Sequence, residues 1–329
     1  MSLTDDISWA LLQGILKDWL GRSVEIEAVK SLHGGSMSTS LLLKLKRGRP
    51  VVIKIAPHMV MQQYEDEAYQ LNMLRDWGLP VPQVYACKLA TLEEPHSYLL
   101  MQHMPGQSLA DMRNSLTPDE LNHVEMHLAE IVLSMHARSS RNYQRICSGG
   151  DAGFTDYVTF FHEIYDPILN DVIATKLISP ELRRRVCKIH EQLPKLLDHS
   201  DRPRLIHGDL WSSNLLIDKD QHGRWWVSAV LDPNCRYSHN ELELAYLELF
   251  KTVTPAFFRV YEQAHRLSSE YHAWRRDLYM VYPLLNHIRL FGKHYAKPLE
   301  TVVERLCTTF GNQKGKAAAA PCPMSADPA

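Results

Sequence analysis

The sequence predicts an α+β chain of two lobes, a small β-rich lobe followed by a larger, mainly helical one. Three observations predict it. Short β-branched runs separated by turn signals fill the first third of the chain. Capped helix starts and apolar residues at helical spacing dominate the remainder. A few short strands interrupt that helical part near its middle. Such a layout leaves a crevice where the lobes meet, and crevices of this kind hold ligands. With 329 residues, the chain is long enough for two lobes of ordinary size.

The elements follow in order. Thr4, Asp5 or Asp6 can cap an opening helix in which Ile7, Leu11, Ile15 and Trp19 recur at helical spacing until Gly21. From Val24 to Ile55 the pattern is strand-like. Leu41 to Leu45 and Val51 to Ile55 are apolar runs around the turn signal Lys46-Arg47-Gly48-Arg49-Pro50. A helix is expected from about Met61 to Trp77, stopped by Gly78 and Pro80. Ser97 to Gln102 reads as a strand, the fifth, ended by Pro105-Gly106.

Thr117-Pro118-Asp119-Glu120 then combines a cap, a first-turn proline and first-turn acids, and Ser179-Pro180-Glu181 repeats the device. Leu205 to His207, Leu215 to Ile217 and Trp225 to Leu231 read as short strands, the last two a hairpin around Asp218 to Gly223. Long helices are expected from about Asn240 to Thr252 and from Tyr271 to Gly292. From Gly311 onward apolar periodicity disappears. The expected organisation is a β lobe over 1–103, a helical lobe over 104–311 and a disordered tail over 312–329.

Composition narrows the function. Apolar residues make up 45% and charged residues 22%, as in water-soluble globular proteins. A net charge of -2 offers no global field for nucleic acid or an anionic membrane. No apolar run approaches the ~20 residues that cross a bilayer. The six cysteines form no C-x-x-C pair, which argues against a zinc or redox motif and is consistent with a cytoplasmic location.

The most informative segment is His207-Gly208-Asp209-Leu210-Trp211-Ser212-Ser213-Asn214. An aspartate follows a short apolar strand, with an asparagine five residues on. This is the spacing of a kinase catalytic loop, in which the aspartate takes or orients the proton of the acceptor hydroxyl and the asparagine binds Mg2+. Asp232 ends the strand that follows and occupies the position of a second Mg2+ ligand. Lys54, inside Val51-Val52-Ile53-Lys54, fits the strand lysine that reaches ATP phosphates. Glu67 shares a helix face with Tyr64, Ala68, Leu71 and Leu74, so it points inward and needs a cationic partner such as Lys54. Gly34, Gly35 and Ser36 lie between two strands, where backbone amides can approach phosphate. Met101, Gln102, His103 and Met104 stand where an interlobe hinge offers backbone bonds to adenine. The group reads as an ATP- and Mg2+-dependent small-molecule kinase.

These residues resemble the fructosamine/ketosamine 3-kinase family, of the aminoglycoside-phosphotransferase and choline-kinase group, with its protein-kinase-like fold. The resemblance rests on His207-Gly208-Asp209-Leu210-Trp211-Ser212 with Asn214, on Asp232-Pro233, and on Tyr237, His239 and Glu241-Leu242-Glu243-Leu244-Ala245. It extends to Tyr64, Glu67 and Ala68, to Thr159-Phe160-Phe161, and to Arg275, Tyr279, Leu285-Asn286-His287, Phe291-Gly292 and Tyr295. Ser213, Asn234, Ser238 and Glu243 depart from the family's usual residues and remove no catalytic group. The resemblance implies a ketoamine substrate, a sugar joined to an amine by glycation. Phosphorylation of its 3-hydroxyl would lead to elimination and release of the amine. It also implies that Asn286 and His287 approach the cleft and contact substrate together with Trp211, which stands two residues beyond Asp209. Alternatives are an aminoglycoside- or choline-type metabolite kinase, or a pseudokinase regulator. A monomer acting on a small molecule or glycated amine is expected, with neither nucleic acid nor membrane as partner.

Overall fold

The computed structural model describes residues 7–32, 39–57, 63–92, 94–199 and 201–317, with backbone alone over 311–317. The first element among the described residues is α1 (Trp9–Leu20), capped by Ser8, whose Oγ accepts from the Leu11 amide at 3.1 Å. The expected caps Thr4, Asp5 and Asp6 lie outside the described residues. Strands β1 (Ile26–Leu32), β2 (Thr39–Leu45), β3 (Val51–Pro57), β4 (Val84–Lys88) and β5 (His96–Gln102) form one antiparallel sheet in the order β1-β2-β3-β5-β4. Helix α2 (Gln63–Asp76) sits between β3 and β4 in sequence. Leu12, Ile15 and Leu16 of α1 pack on Leu41, Leu43, Ile53, Ile55 and Leu100 of the sheet. Each such side chain, buried, contributes roughly 1.5–3 kcal/mol.

The second part carries β6 (Gln107–Ser108), α3 (Leu109–Met112), α4 (Pro118–His136), β7 (Gln144–Arg145), α5 (Tyr157–Thr175), α6 (Pro180–His190) and α7 (Leu193–Leu196). There follow β8 (Arg204–Ile206), β9 (Leu215–Lys219), β10 (Trp225–Val230), β11 (Arg236–Ser238), α8 (Asn240–Leu249), α9 (Pro255–Ala264), α10 (Arg276–Phe291) and α11 (Ala296–Ala317). Thr117 and Glu120 make the full capping box that opens α4. The expected hairpin is the antiparallel pair β9–β10, and β8 pairs with β11.

Two expectations change. The helix expected from Tyr271 opens with one π turn over Tyr271–Arg275 before α10 begins. The tail expected to be disordered from 312 instead continues α11 to Ala317, because Gln313, Lys314, Lys316 and Ala317 favour helix without any apolar stripe. Residues beyond 317 lie outside the described ones.

The larger core reaches across the lobes. The apolar face of α2, with Tyr64, Ala68, Leu71 and Leu74, belongs to the same buried cluster as Leu128, Phe161 and Leu244. Buried Gln70 of α2 donates from Nε2 to the Ile146 carbonyl at 2.7 Å and accepts from the Cys235 amide at 2.8 Å. Helix α2 is therefore fastened to the helical part by its polar groups as well as its apolar face.

Candidate active site

Strand β3 has Val51, Ile53 and Ile55 on its buried face, which places Lys54 on the opposite one. Its Nζ lies 2.6 Å from Glu67 Oε1 on α2 and 2.8 Å from Asp232 Oδ1 beyond β10. The Lys54 and Glu67 side chains are only 12% and 13% exposed. Burial works against the Lys54 charge, yet Glu67 and Asp232 outweigh it and hold the ammonium above the ordinary lysine range. One cation thus joins two carboxylates from two elements. Asp232 sits at a left-handed φ of 55°, a conformation uncommon outside glycine and one that recurs at functional sites.

The loop after β8 is shaped by Gly208. Its φ is 80°, and a Cβ there would lie 2.2 Å from the Asn234 carbonyl oxygen, so no other residue fits. The Gly208 amide donates to Glu243 Oε1 at 2.9 Å, while Glu243 Oε2 lies 3.2 Å from His136 Nε2. Burial alone would raise Glu243, but His136 and the Gly208 amide together hold it below the usual range. Asp209 follows. Its Oδ1 accepts from the Tyr246 hydroxyl at 2.5 Å and its Oδ2 from Asn214 Nδ2 at 3.2 Å. Burial, then Asp209 itself, push Tyr246 far above the ordinary phenol value, so it remains a donor.

Asn214 Nδ2 also donates to the Asp209 carbonyl at 2.9 Å, and its own carbonyl accepts from the Leu231 amide at 2.9 Å. With its NH2 group spent this way, its side-chain oxygen is left over among the described residues. Asp232 likewise keeps one carboxylate oxygen beyond the one facing Lys54. Two oxygens of this type suit a hard cation such as Mg2+.

The other expected residues fare unevenly. Gly34, Gly35 and Ser36 lie outside the described residues. Met101 is buried within β5, opposite Val52 and Val84, and the Gln102 amide donates to the Gln83 carbonyl at 2.8 Å. Of the four hinge residues, His103 and Met104 lie past the end of the strand, and among the described residues nothing takes their amides. His287 enters an aromatic group with Phe250, Tyr295 and Phe291 at ring-centroid distances of 4.6, 4.8 and 5.4 Å. Trp211, half-buried, stands 6.2 Å from Phe250. Asn286, the neighbour of His287, points about 100° away around α10, and among the described residues no contact brings it to that group. Its Oδ1 is buried without a hydrogen-bond partner among the described residues. Tyr246, Phe250 and Glu243 hold and border the loop yet were not singled out as site residues. Their helical spacing along α8, three or four residues apart, is the signal that finds them.

Comparison with known proteins gives the family. The sequence model of the fructosamine kinase family matches residues 8–140 and 154–309. The chain belongs to the fructosamine kinase family. A probable ketoamine kinase of Vibrio cholerae is 35% identical over 305 residues, covering 91% of this chain and 99% of that one. The chloroplastic protein-ribulosamine 3-kinase of Oryza sativa subsp. indica is 25% identical, covering 90% of this chain and 84% of that one. Among solved structures, a Thermobifida fusca protein assigned provisionally as a fructosamine-3-kinase superposes with a TM-score of 0.71 at 23% identity, covering 90% of this chain and 98% of that one. An aminoglycoside phosphotransferase in ternary complex with AMP-PNP and hygromycin B reaches 0.67 at 18% identity, covering 91% and 98%. At these identities the structures show the kinase-like α+β fold. Members of the fructosamine kinase family are phosphotransferases acting on sugar hydroxyls, and this chain is an enzyme of that kind.

Proposed function

We propose that the protein transfers the γ-phosphoryl group of ATP to the 3-hydroxyl of a ketoamine. The observation that carries this reading is Asp209 held on both carboxylate oxygens, by Tyr246 and by Asn214, beside an aromatic group that contains His287. Phosphoryl transfer asks the protein mainly for positioning and charge neutralisation. The nucleotide would lie between the lobe of 1–103 and that of 104–311, with adenine at the His103 and Met104 amides and its phosphates reached by Lys54. Mg2+ would be held by the free oxygens of Asn214 and Asp232 and would neutralise charge on those phosphates. Asp209 keeps lone pairs beyond its two hydrogen bonds and accepts the proton of the sugar hydroxyl.

The acceptor side favours a sugar. His287 Nδ1 donates to the Pro283 carbonyl at 2.8 Å, since a carbonyl can only accept, and burial lowers its pKa. The ring is then neutral with Nε2 as an acceptor, suited to a sugar hydroxyl. Trp211 offers a flat face on which the C–H side of a sugar packs. Phosphate on O3 becomes an allylic leaving group once the ketoamine enolises between C1 and C2. Its departure leaves an imine at C1, and water then frees the amine. A cytoplasmic monomer suffices, because one chain supplies every group named. An aromatic group also suits a quaternary ammonium, which keeps a choline-type kinase as the second reading.

A panel of fructosamines, ribulosamines, aminoglycosides and choline, scored for ATP consumption, tests the proposal. Ketoamines should give the highest kcat/KM, and turnover of choline or aminoglycosides alone would refute it. Trp211→Ala should raise KM for a fructosamine about tenfold or more while leaving KM for ATP within about twofold. Equal KM values together with a lower melting temperature would make Trp211 a packing residue only.

A further inference from the structure

A second group of side chains with metal-ligand chemistry lies away from the catalytic loop. His199 follows α7, Asp201 precedes β8 and His239 follows β11. The antiparallel register of β8 and β11, with Ser238 opposite Arg204, brings the flanking residues together. His239 Nε2 lies 3.0 Å from Asp201 Oδ2, and His199 Nδ1 lies 3.6 Å from the same oxygen. One potential ligand atom from each residue falls within 4.8 Å of the other two. The arrangement is held from behind. His239 Nδ1 is 2.7 Å from the Tyr279 hydroxyl, and the Tyr143 hydroxyl donates to the Asp201 carbonyl.

His199 supplies a second, independent observation. Its side chain is only 9% exposed, and both ring nitrogens are buried without a hydrogen-bond partner among the described residues. Asp201, at 3.6 Å, is beyond hydrogen-bond range. Leaving a buried polar group unpaired is costly. An ion resolves this. Tetrahedral coordination at about 2.0–2.1 Å spaces ligand atoms about 3.3 Å apart, and the separations of 3.0 and 3.6 Å straddle that value. A cavity of about 610 Å³, lined by His199, Asp201, Arg141 and Asp156 among others, opens beside the group. It gives an ion a path in and a water a place as fourth ligand.

We propose that His199, Asp201 and His239 form a site for a divalent transition ion of the zinc type, completed by water from the cavity. Two imidazoles select such an ion over Mg2+, whose preference is for oxygen. The site is separate from the oxygens of Asn214 and Asp232. It would tie the segment entering β8, and hence the catalytic loop, to the start of α8, which carries Glu243 and Tyr246. The structure provides its own contrast. His162, Asp166 and His190 have the same residue types, but there Asp166 is hydrogen-bonded to both histidines, at 3.0 and 2.7 Å, whereas the Asp201 carboxylate bonds His239 alone and leaves His199 without a hydrogen-bond partner among the described residues.

The test uses the full chain, stripped with a chelator, in buffer containing excess Mg2+. Zinc stoichiometry, the visible absorption of added Co2+ and the melting temperature are measured for wild type and for His199→Ala, His190→Ala and Asp232→Asn. Wild type should bind one zinc per chain, show the intense visible bands of low-coordinate Co2+ and melt higher with zinc. His199→Ala breaks no hydrogen bond among the described residues and loses only ring packing on Tyr157 and His239, so its fold, checked by circular dichroism, should persist while zinc affinity falls at least about tenfold. His190→Ala and Asp232→Asn should bind zinc as wild type does. The proposal is overturned if wild type retains no zinc, if His199→Ala binds as tightly as wild type, or if the loss appears in His190→Ala or Asp232→Asn instead.

Discussion

Asp209, the proposed base, owes its position to what holds it. The carboxylate is fixed from two sides, by Tyr246 and Asn214, and the loop that carries it is fixed by the Gly208 amide on Glu243. Asp209→Asn should keep nucleotide binding and lower kcat by about a hundredfold or more; a variant within a few-fold of wild type would remove Asp209 from the chemistry. Tyr246→Phe leaves the base in place and loses one orienting bond, so single-turnover rates should show a smaller loss. Glu243 adds a pH dependence. Its native pKa lies below the ordinary value of 4.5, so the unfolded chain binds the proton more readily. The stability it contributes is complete above that value and is lost as pH falls through the lower native one. In melting curves between pH 3 and 6, Glu243→Gln should therefore show a shallower acid slope than wild type. An unchanged slope would mean that Glu243 gains nothing from His136 and the Gly208 amide.

At the scale of elements, α2 is the piece that joins the two halves of the site. It presents Glu67 to Lys54 while Gln70, one turn on, bonds to Ile146 and Cys235 in the helical part. The glutamate is thereby held inward by the fold itself. Lys54→Ala and Glu67→Ala should each lower kcat/KM, and the double variant should be little worse than either, because the pair acts as a unit. Fully additive losses would separate them. Gln70→Ala, which touches neither phosphate nor sugar, should lower both melting temperature and kcat if α2 docking positions Glu67; a lower melting temperature with unchanged kcat would make Gln70 a packing residue alone. The inward face of α2 was legible because Tyr64, Glu67, Ala68 and Leu71 repeat at helical spacing, and the β9–β10 hairpin because turn residues separate two apolar runs. Helix α9 was not, although Thr254 and Pro255 provide the same start signal as Thr117 and Pro118. The bond from Tyr246 to Asp209 was not legible either. It joins residues 37 apart, and local periodicity carries no information about which helix faces which loop. The polar partners of Gln70 are hidden for the same reason.

For the molecule as a whole, the order Lys54, Glu67, Asp209, Asn214, Asp232 along the chain becomes a cleft because a five-stranded sheet and a helical body share one core across α2. The aromatic group of Trp211, Phe250, His287, Phe291 and Tyr295 is proposed to form the acceptor side of Asp209. This division of labour, with Lys54 and the cation ligands for ATP on one side and a sugar-binding wall on the other, is the central claim. It is tested most directly by following ATP and a fructosamine with the purified enzyme by 31P NMR and mass spectrometry. The division predicts a ketoamine phosphorylated on O3, followed by release of inorganic phosphate and the free amine, with these products formed about a hundredfold or more slowly by Asp209→Asn. Phosphate on another hydroxyl, or an untouched fructosamine beside a phosphorylated choline or aminoglycoside, would contradict it.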